Sequence, residues 1–217
     1  MSVITISREA GSAGTSIARA IAEKTGYRLA DKNLIGSILS KYGLIGFERI
    51  HDNIPAFWEG FDAQKAEQRA VTIDMMNRTI QALARHGDVI IVGRGGFAVL
   101  SGYADVLNVR IQAPLAVRVE RIMNADALNA EDAEKLVREK DRVRNKFIET
   151  VYGANRETAV AFDLVVDTGK IAPSLACDWI IQALGDMTRE IRTGATQAKN
   201  IEVDQILADA VAEALKK

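Results

Sequence analysis

The run Val89-Ile90-Ile91-Val92 constrains this chain more than any other segment. In a strand, successive side chains point to opposite faces, so four aliphatic residues in a row need cover on both sides. Strands of that kind belong to parallel sheets whose two faces carry helices. Short β-branched or apolar runs recur at 3–7, 27–30, 106–111 and 162–167. Helix-length segments lie between them. Ile17, Ala20, Ile21 and Lys24 recur at helical spacing and stop at Gly26, a C-cap residue. Asp31 is placed to cap a helix over 32–41, and residues 63–85 are rich in Ala, Gln, Met and Arg. Pro114 sits where the first turn of a helix accepts proline, Asn129 or Asp132 can cap a helix over 129–149, and a last one of the series covers 173–184. The alternation predicts one three-layer α/β/α domain around a five-stranded parallel sheet.

Composition narrows what such a domain does. Lys and Arg total 28 against 29 Asp and Glu in 217 residues, which excludes attachment to a nucleic acid polymer by bulk charge. A single cysteine, Cys177, forbids an internal disulfide and reads as an inert core thiol, while two histidines, His51 and His86, forbid a Cys/His zinc cluster. The opening MSVITISREAGSAG lacks the basic and long apolar regions of a signal peptide, and no apolar run reaches the ~20 residues of a membrane span. The expectation is a soluble cytoplasmic protein with no membrane partner.

The chemistry points to the turn Ser7-Arg8-Glu9-Ala10-Gly11-Ser12-Ala13-Gly14-Thr15-Ser16, between the first strand and its helix. Ligands of open α/β sheets collect beyond the carboxyl ends of the strands. A small-residue turn there exposes backbone N–H groups, and the following helix adds its positive end, which together make a phosphate cradle. Aligned with G-x-x-x-x-G-K-[ST], the chain reads Arg8-x-x-x-x-Ala13-Gly14-Thr15. The hydroxyl is kept and the lysine is lost, so a bare strand-to-helix turn stays open on this segment alone. A second glycine pair, Gly93-x-Gly95-x-x-Ala98, fits the dinucleotide fingerprint. Only about a dozen residues separate it from the next strand, which ends without an acidic residue, so a Rossmann site is rejected.

ITISREAGSAGTSIARAIAEKTGY resembles the opening of the cytidylate kinase-like family, a branch of the P-loop nucleoside monophosphate kinases. The resemblance continues, in order, through VIIVGRGGFAVL, NVRIQAPLAVRVERI, REKDRVRNK and FDLVVDTG. It implies transfer of the ATP γ-phosphoryl group, with Mg2+, to a nucleoside monophosphate or another small acceptor. On that reading Arg8, Gly11, Ser12, Ala13, Gly14, Thr15 and Ser16 hold the donor phosphates, and Thr15 or Ser16 ligates Mg2+. Arg94 takes the acceptor phosphate, and Arg142 and Arg144 close from a lid over about 125–158, with Asp141 as orienter or base contact. Asp31, Lys32, Arg118 and Arg121 join the acceptor side, whose helical region runs over about 32–86.

Other readings of these residues stay open. Arg94 could be a loop arginine, the 138–146 charges a solvated helix laced by Glu139 and Asp141, and Arg118 or Arg121 could pair with a surface acid. Asp31 could orient the helix after it, join the magnesium shell through water, or simply cap. Lys32 and Arg8 are both candidates to replace the missing lysine. With no lysine, no acid after residue 92 and Ser37 where an arginine is usual, the alternative is a nucleotide-binding sensor with little turnover. The kinase-like domain is expected to end near 185. Beyond a polar stretch at 186–200, residues 202–216 carry an apolar stripe, Val203, Ile206, Leu207, Ala210, Val211, Ala214 and Leu215. Such a helix needs burial against its own domain or against a second copy. The expectation leans to a homodimer through this C-terminal extension.

Overall fold

A computed structural model describes residues 1–43, 63–153, 159–191 and 194–216. The strands are β1 (Val3–Arg8), β2 (Arg28–Ala30), β3 (Val89–Val92), β4 (Val106–Gln112) and β5 (Leu164–Asp167). The helices are α1 (Gly14–Thr25), α2 (Lys32–Lys41), α3 (Ala63–His86), α4 (Gly96–Val99), α5 (Leu115–Asp126), α6 (Ala130–Tyr152), α7 (Pro173–Arg189) and α8 (Gln205–Ala214). All strand pairs are parallel, in the order β2-β3-β1-β4-β5, so β1 lies at the centre with Val3 beside both Val89 and Val106. The predicted three-layer architecture is the observed one.

The aliphatic run explains itself in this setting. Val89 and Ile91 enter a core shared with α2, α3 and α8, while Ile90 and Val92 enter a second core built on α1 and α7. Strand β1 divides the same way, Val3 to the first core and Ile4 and Ile6 to the second. Thr5 is the polar exception, and its buried hydroxyl donates to Asn108 Oδ1 at 2.7 Å across to β4. Asp31 caps α2, its Oδ1 accepting from the Asn33 and Leu34 N–H groups, and Asn129 caps α6 through the Asp132 N–H. Because every strand runs the same way, Arg8, Val92, Gln112 and Asp167 finish at one edge of the sheet.

The C-terminal stripe packs within the chain. Leu207, Val211 and Leu215 join the core over α2 and α3, and Lys41 of α2 pairs with Glu213 at 2.8 Å. The connection before α8 is anchored at the start of β4. Asp105 accepts from the Ala198 and Lys199 N–H groups, and Ala104 N donates to Thr196 O at 2.8 Å. The homodimer expectation therefore gains no support. Most of the stripe finds its cover over α2 and α3, but Ile206, expected on it, stays exposed. Among the described residues no helix is long and apolar enough to cross a membrane. His51 lies outside the described residues, and His86 is exposed at the end of α3.

Candidate active site

Three loops at the carboxyl edge of the sheet make the site. The loop after β1 leads into α1 through Ala13, which takes left-handed backbone (φ 63°) and offers no side-chain cap to the first turn. The N–H groups that open a helix lack intrahelical partners, and the helix end carries partial positive charge. Gly14, Thr15 and Ser16 present that turn, with Thr15 half-buried and Ser16 exposed.

The loop is braced from behind by side chains of β4, α5 and α6. Glu9 accepts from the Ala113 N–H at 3.1 Å and pairs with Arg110 at 3.3 Å and Arg118 at 3.4 Å. Arg118, buried, also donates to the Ala113 and Ala10 carbonyls and to Asp141 Oδ2. Arg121 donates to Thr168 through Nη1 at 2.9 Å and Nη2 at 2.8 Å and reaches Gly11 O, while Thr168 Oγ1 donates to Ser12 O. These two arginines thus hold loop carbonyls. Asp141, from α6, accepts from the Ala10 N–H at 2.9 Å and lies 3.6 Å from Arg144. A carboxylate is already seated on one N–H of the loop.

Strand β3 ends in three successive left-handed residues, Gly93 (φ 77°), Arg94 (φ 57°) and Gly95 (φ 74°). For arginine that conformation is strained, and such residues persist where their surroundings over-determine them. Here the surroundings leave no slack. A Cβ on Gly93 would strike Arg8 Nη1, and one on Gly95 would strike the Tyr152 ring. The Tyr152 hydroxyl donates to Asn77 Oδ1 at 2.8 Å and lies 3.3 Å from the Arg94 carbonyl. Burial pushes this phenol well above its ordinary pKa, so it remains a donor at all physiological pH.

Between β1, β3 and α6 lies a cavity of about 450 Å3. Among the described residues five cations line it, Arg8, Lys32, Arg94, Lys140 and Arg144, against one carboxylate, Glu139. Arg94 is buried, Arg8 and Arg144 are half-buried, and Lys32 and Lys140 are exposed at the mouth. Burial pulls the Arg144 guanidinium below its usual range while Asp141 opposes that shift, and it stays charged. Phe97, Leu136, Val143, Phe147 and Ile148 form the apolar wall. A concave apolar wall with convergent charges suits a small anionic molecule with an organic part.

The structure thus brings Arg8, Lys32, Arg94 and Arg144 together around one space. Arg142 is not with them. It projects from the outer side of α6, exposed, and donates to Glu139 at 2.9 and 2.7 Å. That pair holds the Glu139 carboxyl below its ordinary range. Asp31 acts as a cap and does not line the cavity, and Arg118 and Arg121 stand behind the loop. Sequence reading missed Glu9, Arg110, Thr168 and Tyr152. Glu9 and Arg110 carried a signal, since both fall within segments that carry the resemblance, and the pairing of β1 with β4 then brings them together. Thr168 lies in FDLVVDTG in the same way, whereas Tyr152 lies outside every such segment and meets its partners only through packing.

The cytidylate kinase-like family model matches residues 3–170. A cytidylate kinase from Pyrobaculum neutrophilum is 29% identical over 191 residues, covering 85% of this chain and 95% of that protein. One from Ignicoccus hospitalis is 30% identical over 185 residues, covering 85% and 99%. Among solved structures, an uncharacterized protein from Eubacterium ventriosum superposes with a TM-score of 0.67 at 18% identity, over 85% of this chain and 99% of that one.

Proposed function

The chain belongs to the cytidylate kinase-like family, and from that membership we propose that it transfers the γ-phosphoryl group of ATP to a nucleoside monophosphate of the cytidylate kind or another small acceptor. The observation that carries the reading is the convergence of Arg8, Arg94 and Arg144 on one cavity, with the Arg8 stem against Gly14 at the uncapped start of α1; Gly11 to Ser16 themselves do not line that cavity. Phosphoryl transfer asks the protein mainly to position the reactants and to stabilise charge on the moving group. An arginine fork does both, because it stays charged and grips two oxygens at once.

In this reading the turn from Gly11 to Ser16 (Gly11, Ser12, Ala13, Gly14, Thr15 and Ser16) receives the donor phosphates on backbone N–H groups. Arg94 holds the acceptor phosphate, and its strained backbone, fixed by Arg8 and Tyr152, keeps the guanidinium preorganised. Arg144 approaches from α6, as the lid of about 125–158, and Lys32 and Lys140 draw anions to the mouth. Asp31 orders α2 at the head of an acceptor-side region of about 32–86. Arg118, Arg121 and Asp141 set the shape of the loop. Arg142 stays outside the cavity lining, held by Glu139, which does line it. An attacking acceptor oxygen forms its bond to phosphorus as the bond to the ADP oxygen breaks, and the electron pair leaves with ADP.

Hydroxyl oxygens of Thr15 or Ser16 at a phosphate site fit Mg2+, which takes few protein ligands and completes its shell with phosphates and water. Bound there, the ion would neutralise charge on the β- and γ-phosphate oxygens. Among the described residues no group of three or more His, Cys, Asp or Glu gathers as an alternative metal site.

A second reading, a nucleotide sensor with little turnover, is favoured by Gly14 at the usual lysine position and by Asp141 on the Ala10 N–H. The two readings part in one assay series. Thermal-shift screening of nucleotides with and without Mg2+ finds the ligands, and ADP release with cytidylate and other monophosphates finds turnover. Stabilisation with acceptor-dependent ADP release supports the kinase. Stabilisation without release selects the sensor, and no stabilisation by any nucleotide defeats both.

A further inference from the structure

The phosphate loop of this chain lacks its lysine, yet the space that side chain would leave from is not empty. A Cβ placed on Gly14 would lie 2.6 Å from Arg8 Cβ and 3.1 Å from Arg8 Cγ. No side chain can start from residue 14 while Arg8 keeps its stem there. The far end of the same side chain crosses to β3, where its Nη1 lies against Gly93, and it lines the cavity beside Arg94 and Arg144. Arg8 therefore runs from the first turn of α1 to the space where the acceptor side begins. The other candidate for the missing charge, Lys32, stands elsewhere, exposed at the cavity mouth.

We infer that Arg8 replaces the phosphate-loop lysine, delivering from the end of β1 the cation that such loops ordinarily deliver from the start of α1, and that Gly14 is glycine because Arg8 occupies its side-chain space. The inference rests on the kinase reading above and names the donor polyphosphate as the ligand of Arg8. A loop lysine is a point charge reaching the β- and γ-phosphates. The guanidinium of Arg8 is a planar fork, so one oxygen from each of two neighbouring phosphates can be held together.

The experiment measures binding of Mg2+-ATP and of inorganic triphosphate by calorimetry, with ADP release alongside, on folded variants checked by thermal melting. Arg8→Gln, which keeps the stem and removes the charge, is expected to weaken both ligands by about 10–100-fold, the loss for one charged hydrogen-bonding partner. Arg8→Lys is expected to stay within a few-fold of the parent. The steric half has its own test. Arg8→Gly with Gly14→Lys moves the cation back to α1 and is expected to recover at least tenfold of the ATP affinity that Arg8→Gly alone loses. Arg8→Ala with Gly14→Lys keeps the colliding Cβ and is expected to melt well below the glycine version. Unchanged triphosphate and ATP affinity in folded Arg8→Gln overturns the inference and leaves the kinase reading standing. A parent chain that binds neither ligand overturns both. If the glycine swap fails to fold, the Gln and Lys pair still decides.

Discussion

At the scale of single residues, Arg118 is the side chain on which most depends. It ties Glu9, Asp141 and the carbonyls of Ala10 and Ala113 into one half-buried network. Removing one partner of such a network leaves the opposing charges under-compensated, and carboxylates cannot be buried cheaply alone. Arg118→Ala is expected to lower unfolding free energy by about 3 kcal/mol, read by urea denaturation. A loss below about 0.5 kcal/mol would show that solvent already screens the network. Cys177 makes a contrasting prediction. Burial raises its thiol pKa, Lys24 opposes that shift, and Asp178 adds to it. A raised pKa means less thiolate, and thiolate is the reactive form. Native protein is expected to resist iodoacetamide at pH 8 and to be labelled promptly in denaturant.

Among the elements, α8 shows best what the sequence did and did not disclose. Its stripe, spacing and amphipathic character were all legible, and so were all five strands and the helices 32–41 and 63–85 within a few residues. The cover of the stripe was not legible. It depends on Asp105 capturing the Ala198 and Lys199 N–H groups from 93 and 94 residues away, which no local pattern encodes. The site divides along the same line. Arg8, Arg94 and Arg144 stood out as charges beside glycine turns or in a charged helix. Which side of α6 faces inward was settled only by packing, with Phe147 and Ile148 buried and Arg142 turned out. Leu207, fully inside the α2–α3 core, gives the test. Leu207→Ala is expected to cost about 3 kcal/mol of stability. Light scattering should give the same native mass before and after, and a halved mass would revive the dimer.

For the molecule as a whole, the contact between Asp141 and the Ala10 N–H links helix α6 to the phosphate loop. An incoming phosphate and this carboxylate carry like charge and face the same loop, so binding and the position of α6 are thermodynamically coupled. Asp141→Asn removes the negative charge between Arg118 and Arg144. It is expected to lower the melting temperature yet tighten inorganic triphosphate binding, by about threefold to tenfold, equivalent to roughly 0.7–1.4 kcal/mol. Weaker binding in a folded Asp141→Asn protein would mean that the loop shape this carboxylate holds outweighs its repulsion of the ligand.

The central place of β1 also has a consequence during synthesis. Its neighbours are β3 and β4, and Val3 first meets a partner at Val89, 86 residues later. A ribosome adding about 5–20 residues per second needs roughly 4–17 s to cover that distance. Through that interval the nascent chain carries an aliphatic strand with two open edges, a ready template for pairing with another chain. Truncated translation products ending before residue 89 are thus expected to aggregate, and the full-length protein to depend on chaperone cover until β3 has left the exit tunnel.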